Sequence, residues 1–157
     1  IKSNLLYSKK DANAKDIESA LSISQSTEFV SKKPEGIHSE ISQGGTNVSG
    51  GQRQRLSIAR AIVRKPEIYI FDDSFSALDF KTDAKLREAL AASCKETKST
   101  VLLVAQRISS ILHADQIIVL DEGKMVGKGT HAELMESCDV YQQIASSQLT
   151  KEELANV

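Results

Sequence analysis

The stretch NVSGGQRQRLSIARAIVRKPEIYIFDDSFSALD, from Asn47 to Asp79, decides the fold. It reads as a paired-glycine turn opening a helix, an apolar strand climbing into two carboxylates, and a short loop ending in a third. Ser49 with Gln52 three residues on is a capping box, so the helix starts at that serine. Leu56, Ala59 and Val63 share one helical face, and Ile58 and Ile62 an adjacent one, which predicts a largely buried helix. Arg53, Arg60 and Arg64 line a third face. That face reads as a solvated stripe or, at Arg53, as a phosphate or partner contact. Pro66 ends the helix. Ile68 to Phe71 is a continuous apolar run, as expected of a strand buried on both faces. Asp79 caps a following helix that carries Leu86, Leu90 and Ala91.

Upstream, Asn13 with Asp16 is a second capping-box arrangement, opening a helix with Ile17, Ala20, Leu21 and Ile23 on one face. Ser26 and Glu28 suggest a short helix through Phe29 and Val30. Pro34 and Gly36 break the pattern, and SEISQGGT (39–46) is loop-like. Downstream, Val101 to Val104 reads as a second buried strand. A short helix with Ile108, Ile111 and Leu112 follows, then a third strand over Ile117 to Leu120. The turn Asp121-Glu122-Gly123-Lys124 leads into an edge strand over Lys124 to Lys128. Thr130 with Glu133 caps another helix, and Val140, Tyr141 and Ile144 mark the last. Strand and helix alternate in the second half, as in an α/β parallel sheet. The reading is therefore a helical part over residues 1–65, a partial α/β core over 66–149 and a charged tail over 150–157.

The 157 residues carry a net charge of −1, which excludes bulk electrostatic capture of nucleic acid or anionic lipid. No apolar run approaches the ~18 residues of a membrane span. Cys94 and Cys138 lack metal-ligand spacing and read as buried free thiols of a reducing compartment. The chain opens on Ile1, within an interrupted apolar stretch, and is expected to be a piece of a longer polypeptide.

The chemistry lies in the opening stretch. Ser49, Gly50 and Gly51 set a hydroxyl and backbone N–H groups at the positive end of a helix, a setting that suits a terminal phosphate or equally a plain cap. An apolar strand delivering Asp72 to a sheet edge can hold Mg2+, with Asp73 placed to polarise a water, or the two acids can simply be solvated.

Taken together, VSGGQ (Val48 to Gln52), IYIFD (Ile68 to Asp72), SALD (Ser76 to Asp79), VLLVAQR (Val101 to Arg107) and the run from His113 to Leu134 resemble the nucleotide-binding domain of ATP-binding-cassette (ABC) transporters. They look like its signature, Walker B strand, D-loop and switch strand. IKSNLLYSKKDA (1–12) and SEISQGG (39–45), with Glu40 at an acidic coupling position, resemble the exporter branch. The resemblance implies an α/β fold: a helical signature subdomain, then the C-terminal part of a RecA-like P-loop NTPase core, a mostly parallel sheet flanked by helices. It implies ATP and Mg2+ as cofactors, with Asp72 on the metal. It also implies ATP hydrolase and translocase activity, at the cytoplasmic face of the cell membrane, for the intact protein. The implied partners are transmembrane domains and a second ABC domain, with no nucleic acid. A non-catalytic regulatory cassette is the alternative.

The departures from the family pattern are informative. No G-x-x-x-x-G-K-[ST] phosphate loop occurs. The family places it upstream of Ile1, so the chain alone is expected to be inactive. Asp73 stands where the family has Glu, one methylene shorter. Gln106 stands where it has His; Gln can donate a hydrogen bond but cannot carry the proton. Family domains pair head to tail, so Ser49, Gly50, Gly51 and Gln52 would serve ATP on the partner, while Asp72, Asp73 and Gln106 belong to this chain's own site. That site reads as degenerate, and the partner as non-identical. Three apolar strands with one face uncovered also predict self-association of the chain by itself.

Overall fold

The computed structural model describes residues 1–149, and the charged tail read at 150–157 lies outside them. The chain forms two compact units, Ile1–Val104 and one starting at Ala105.

The first unit opens with three helices, α1 (Lys2–Ser8), α2 (Ala14–Ile23) and α3 (Thr27–Ser31), followed by 3-10 turns at Gly36–His38 and Gln43–Gly45. Helix α4 (Gly50–Ile62), strand β1 (Ile68–Asp72), helix α5 (Phe80–Thr97) and strand β2 (Thr100–Val104) complete it. The boundaries follow local chemistry. Asn13 Oδ1 accepts from the Asp16 N–H, and Asp16 Oδ2 accepts from the Asn13 N–H, closing the expected box on α2. Lys65 takes a left-handed turn (φ +51°) just before Pro66, where a right-handed helix is disfavoured. Its Nζ sits 2.6 Å from Asp16 Oδ1, tying the end of α4 to the first turn of α2. That hydrogen bond is the chief reason the Asp16 carboxyl titrates below the usual carboxylate range.

Leu56, Ile58, Ala59 and Ile62 of α4 are buried with Leu5, Ile17, Leu21, Tyr69, Phe71, Leu86 and Leu90 in one core. Each fully buried Leu or Ile contributes roughly 1.5–3 kcal/mol. β1 and β2 pair in parallel, Ile68 opposite Thr100 and Asp72 opposite Val104, with α5 as the crossover.

The expectation that β1 and β2 are buried on both faces is corrected here. Tyr69 and Phe71 turn into the core, but Ile68 and Ile70 are exposed, Ile70 to 70%. Leu102 and Val104 of β2 are exposed as well. Successive residues in a strand point to opposite faces, and only one face of this two-stranded sheet is covered among the described residues.

In the second unit, β3 (Ile117–Asp121) and β4 (Lys124–Gly129) form an antiparallel hairpin, as the turn at 121–124 predicts. Among the described residues the parallel pairing is thus between β1 and β2. A 3-10 turn (Ile108–Ser110) stands where the short helix was expected, and α6 (His131–Ser137) and α7 (Asp139–Gln148) close the unit. Thr130 and Glu133 form the expected capping box on α6. The core holds Ile117, Val119, Leu134, Tyr141 and Ala145. Cys94 and Cys138 are free and buried. Among the described residues, no helix is long and apolar enough to cross a membrane.

Candidate functional site

The turn at 48–52 forms as its sequence dictates. Ser49 Oγ accepts from the Gln52 N–H at 3.2 Å, and Gln52 Oε1 accepts from the Ser49 N–H at 3.1 Å. The box uses the hydroxyl as acceptor and leaves its proton free to donate outward. Ser49 and Gly50 are exposed, Val48, Gly51 and Gln52 half-buried. A Cβ added at Gly50 would meet nothing within 4 Å, so the chain leaves open space there for another molecule. At Gly51 a Cβ would stand 3.1 Å from the Ala77 carbonyl oxygen, so this glycine permits a close backbone approach.

The loop before the turn is internally bonded. Gly44 has φ +74° and its carbonyl accepts from Arg53 Nη1 at 3.1 Å. Arg53 therefore braces this loop, a use that neither sequence reading of its face foresaw. Asn47 Nδ2 donates to the Glu40 carbonyl at 2.9 Å, and the Glu40 side chain is exposed.

Asp72 ends β1 with its carboxylate exposed. Among the described residues no three His, Cys, Asp or Glu side chains converge on a metal position. Asp72 fits Mg2+ only as one protein ligand completed by waters and phosphate oxygens, the usual habit of that ion. Asp73 is left-handed, φ +46°, a conformation that Asp tolerates better than most residues. Its N–H donates to the Val104 carbonyl at 3.3 Å. Its carbonyl accepts from Ser76 Oγ at 3.0 Å and from Gln54 Nε2 at 3.2 Å, and its own carboxylate faces solvent.

In the SALD segment, Leu78 is buried while Ser76, Ala77 and Asp79 are exposed. Asp79 Oδ1 accepts from the Thr82 N–H at 2.9 Å and caps α5. Hydrogen bonds from Thr82 hold its carboxyl below the usual carboxylate range. The Arg55 guanidinium lies 4.8 Å over the Phe29 ring and donates to the Gln25 carbonyl, fastening α4 to the turn before α3.

Gln106 belongs to the second unit. Its side chain is exposed, and its carbonyl accepts from Gln148 Nε2 at 2.8 Å, while Gln148 Oε1 accepts from the Ile108 N–H at 2.9 Å. The last turn of α7 therefore fixes the backbone that presents Gln106.

The first unit thus brings 49–52, 72–73 and 76–79 around one end of α4. Sequence reasoning missed the residue that connects them, Gln54. A signal existed: Gln54 follows Gly51 by three positions and shares its helical face.

Comparisons with known proteins point to one family. The model of the family described as ABC transporter matches residues 2–76. An uncharacterized ABC transporter ATP-binding protein of Bacillus subtilis, YfiB, is 42% identical over 152 residues, which is 97% of this chain and 26% of that protein. An uncharacterized ABC transporter ATP-binding protein of Mycobacterium bovis is 49% identical over 129 residues, covering 82% of this chain and 22% of that protein. A bacterial Atm1-family ABC exporter solved with ATP bound superposes with a TM-score of 0.89 at 29% identity, over 96% of this chain and 26% of that one. The chain spans about a quarter of the length of these proteins. Motifs, fold and relatives converge, and nearly the whole chain is similar to the ATP-binding domain of exporter-type ABC transporters.

Proposed function

We propose that this chain forms part of the ATPase domain of an exporter and lends its signature, Val48 to Gln52, to ATP held on a second, non-identical ABC domain. The observation that carries this reading is the exposed, capped start of α4. Ser49 keeps a donor proton, Gly50 leaves open space, and the helix end is positive, together an acceptor site for a γ-phosphate. Residues 1–65 serve as the helical signature subdomain and 66–149 as a partial RecA-like core.

The chain's own site is the weaker one. Asp72 would hold Mg2+, which neutralises charge on a transferring phosphoryl group. Asp73 is a methylene shorter than the usual Glu, and a misplacement of about 1 Å at a catalytic group costs on the order of 100-fold. Gln106 cannot exchange a proton. The residues present carry no G-x-x-x-x-G-K-[ST] phosphate loop, and on this reading the chain by itself turns over no ATP. ATP closes the paired domains, and hydrolysis on the partner reopens them and drives the transmembrane domains. The exposed Glu40 lies in the loop that touches those domains at the cytoplasmic face of the membrane.

The test uses the full-length exporter with its partner. Ser49→Ala or Gly50→Asp removes most ATP turnover, whereas Asp73→Asn changes it little. The pair Asp73 and Gln106 also favours a second reading, a regulatory cassette without net hydrolysis. In that case the full protein shows no ATPase activity with or without its partner.

A further inference from the structure

Gln54 uses its whole amide on one loop. Nε2 donates to the Asp73 carbonyl oxygen and to Ser76 Oγ, each at 3.2 Å, and Oε1 accepts from the Ala77 N–H at 3.0 Å. Gly51, one turn earlier on the same face, lets the helix close on the carbonyl of Ala77. Ala77 is therefore held on its N–H side by Gln54, while its C=O packs close to Gly51, where a side chain would crowd it. The same loop begins at Asp73, a left-handed non-glycine residue, which persists only where its surroundings hold it.

We propose that Gln54 is a positioning residue that locks the signature turn to the loop carrying Asp73 and the SALD segment, so that a shift of that loop moves Ser49 to Gln52 with it. Gln54 touches neither ATP nor the reacting atoms. It acts through Ala77, Ser76 and the backbone of Asp73. The inference rests on the function proposed above, because the signature matters only where it completes a partner's ATP site.

The chemistry of the lock requires an amide. Gln54→Glu keeps the shape and the acceptor for the Ala77 N–H, but loses both donors and sets a negative charge against the Asp73 carbonyl oxygen. Gln54→Leu loses all three bonds. In the full-length exporter with its partner, ATPase rates are measured over a range of ATP concentrations for both variants. Ser76→Ala, the Gln54→Leu/Ser76→Ala pair and Gly50→Asp complete the set. The expected result for Gln54→Glu is a fall in kcat on the order of tenfold or more at nearly unchanged KM for ATP, since position is lost rather than nucleotide affinity. The double variant falls less than the product of the single effects, as for residues acting through one contact. If Gln54→Leu does not fold, Gln54→Glu decides.

An unchanged kcat in folded Gln54 variants, a fall that only tracks melting temperature, or strictly multiplicative effects with Ser76→Ala overturns the inference. Full activity of Gly50→Asp overturns the function proposed above. Loss of activity in Gly50→Asp with fully active Gln54 variants overturns the lock alone.

Discussion

Replacing Gly50 by Asp separates what the turn at 48–52 does for this chain from what it is proposed to do for a ligand. A Cβ at Gly50 meets no atom of the chain within 4 Å, and the residue sits at the first position of α4 with an exposed environment. Asp ranks just above Gly in helix propensity, so the lost glycine freedom favours the variant by only about 0.3 kcal/mol. A carboxylate in the first turn of a helix adds about 0.3–1 kcal/mol more. The folded domain is therefore predicted to be as stable as the wild type or up to about 1 kcal/mol more stable, the sum of those two effects. The same carboxylate occupies the space in which a partner's γ-phosphate is proposed to sit and repels it. Thermal unfolding and steady-state ATPase, measured on the same full-length preparation, read the two effects independently. Stability retained with turnover lost is the expected pair. Stability retained with turnover intact refutes the assignment of this helix end to ATP. A sharp loss of stability refutes the reading of Gly50 as sterically open.

Further outcomes concern the two units. Gly127→Ala destabilises the second unit by roughly 1–3 kcal/mol, the usual cost of overpacking, because its Cβ would stand 2.8 Å from Cys138 Sγ and 3.0 Å from Leu134 Cδ2; denaturant titration measures it. His131 is buried with Nδ1 2.8 Å from the Tyr141 hydroxyl, and burial first, then the charge of His113, lowers its pKa. Its neutral form is favoured on folding, so its contribution to stability is full above the unfolded value of about 6.5 and is lost as pH falls from there through the folded value. Unfolding curves from pH 8 to 5 are predicted to show that slope and a His131→Gln variant to lack it, whereas equal slopes contradict the assignment. The exposed Ile68, Ile70, Leu102 and Val104 on one sheet face predict that the chain by itself self-associates at micromolar concentration, and a monodisperse monomer in ultracentrifugation counts against this.

What could be read in advance divides by the range of the interaction. The boxes at Asn13, Ser49 and Thr130 are legible because the partner is always three residues away. The start of the signature helix, the site's most telling feature, was visible for that reason. The burial of β1 was not. Ile68, Tyr69, Ile70 and Phe71 are uniformly apolar, and an apolar run does not say which of its faces a neighbour covers. The role of Gln54 was also hidden, since its bonds reach 19 to 23 residues along the chain to Asp73, Ser76 and Ala77. Arg53 is exposed, as the solvated-stripe reading expects, but its bond to the carbonyl of Gly44 was hidden, because that loop's path is not given by sequence alone. Gln106 was legible only as a departure from a family pattern; its exposure and its backbone anchor to Gln148 needed the fold.

The proposed division of labour between two ATP sites is tested most directly by Asp73→Asn in the full-length exporter assembled with its partner, assayed for ATP turnover. A variant that keeps most of the wild-type rate is the predicted result, because the proposed arrangement has the competent site use this chain's signature and the partner's carboxylate. Loss of nearly all turnover would contradict it and make Asp73 the working base of an active site.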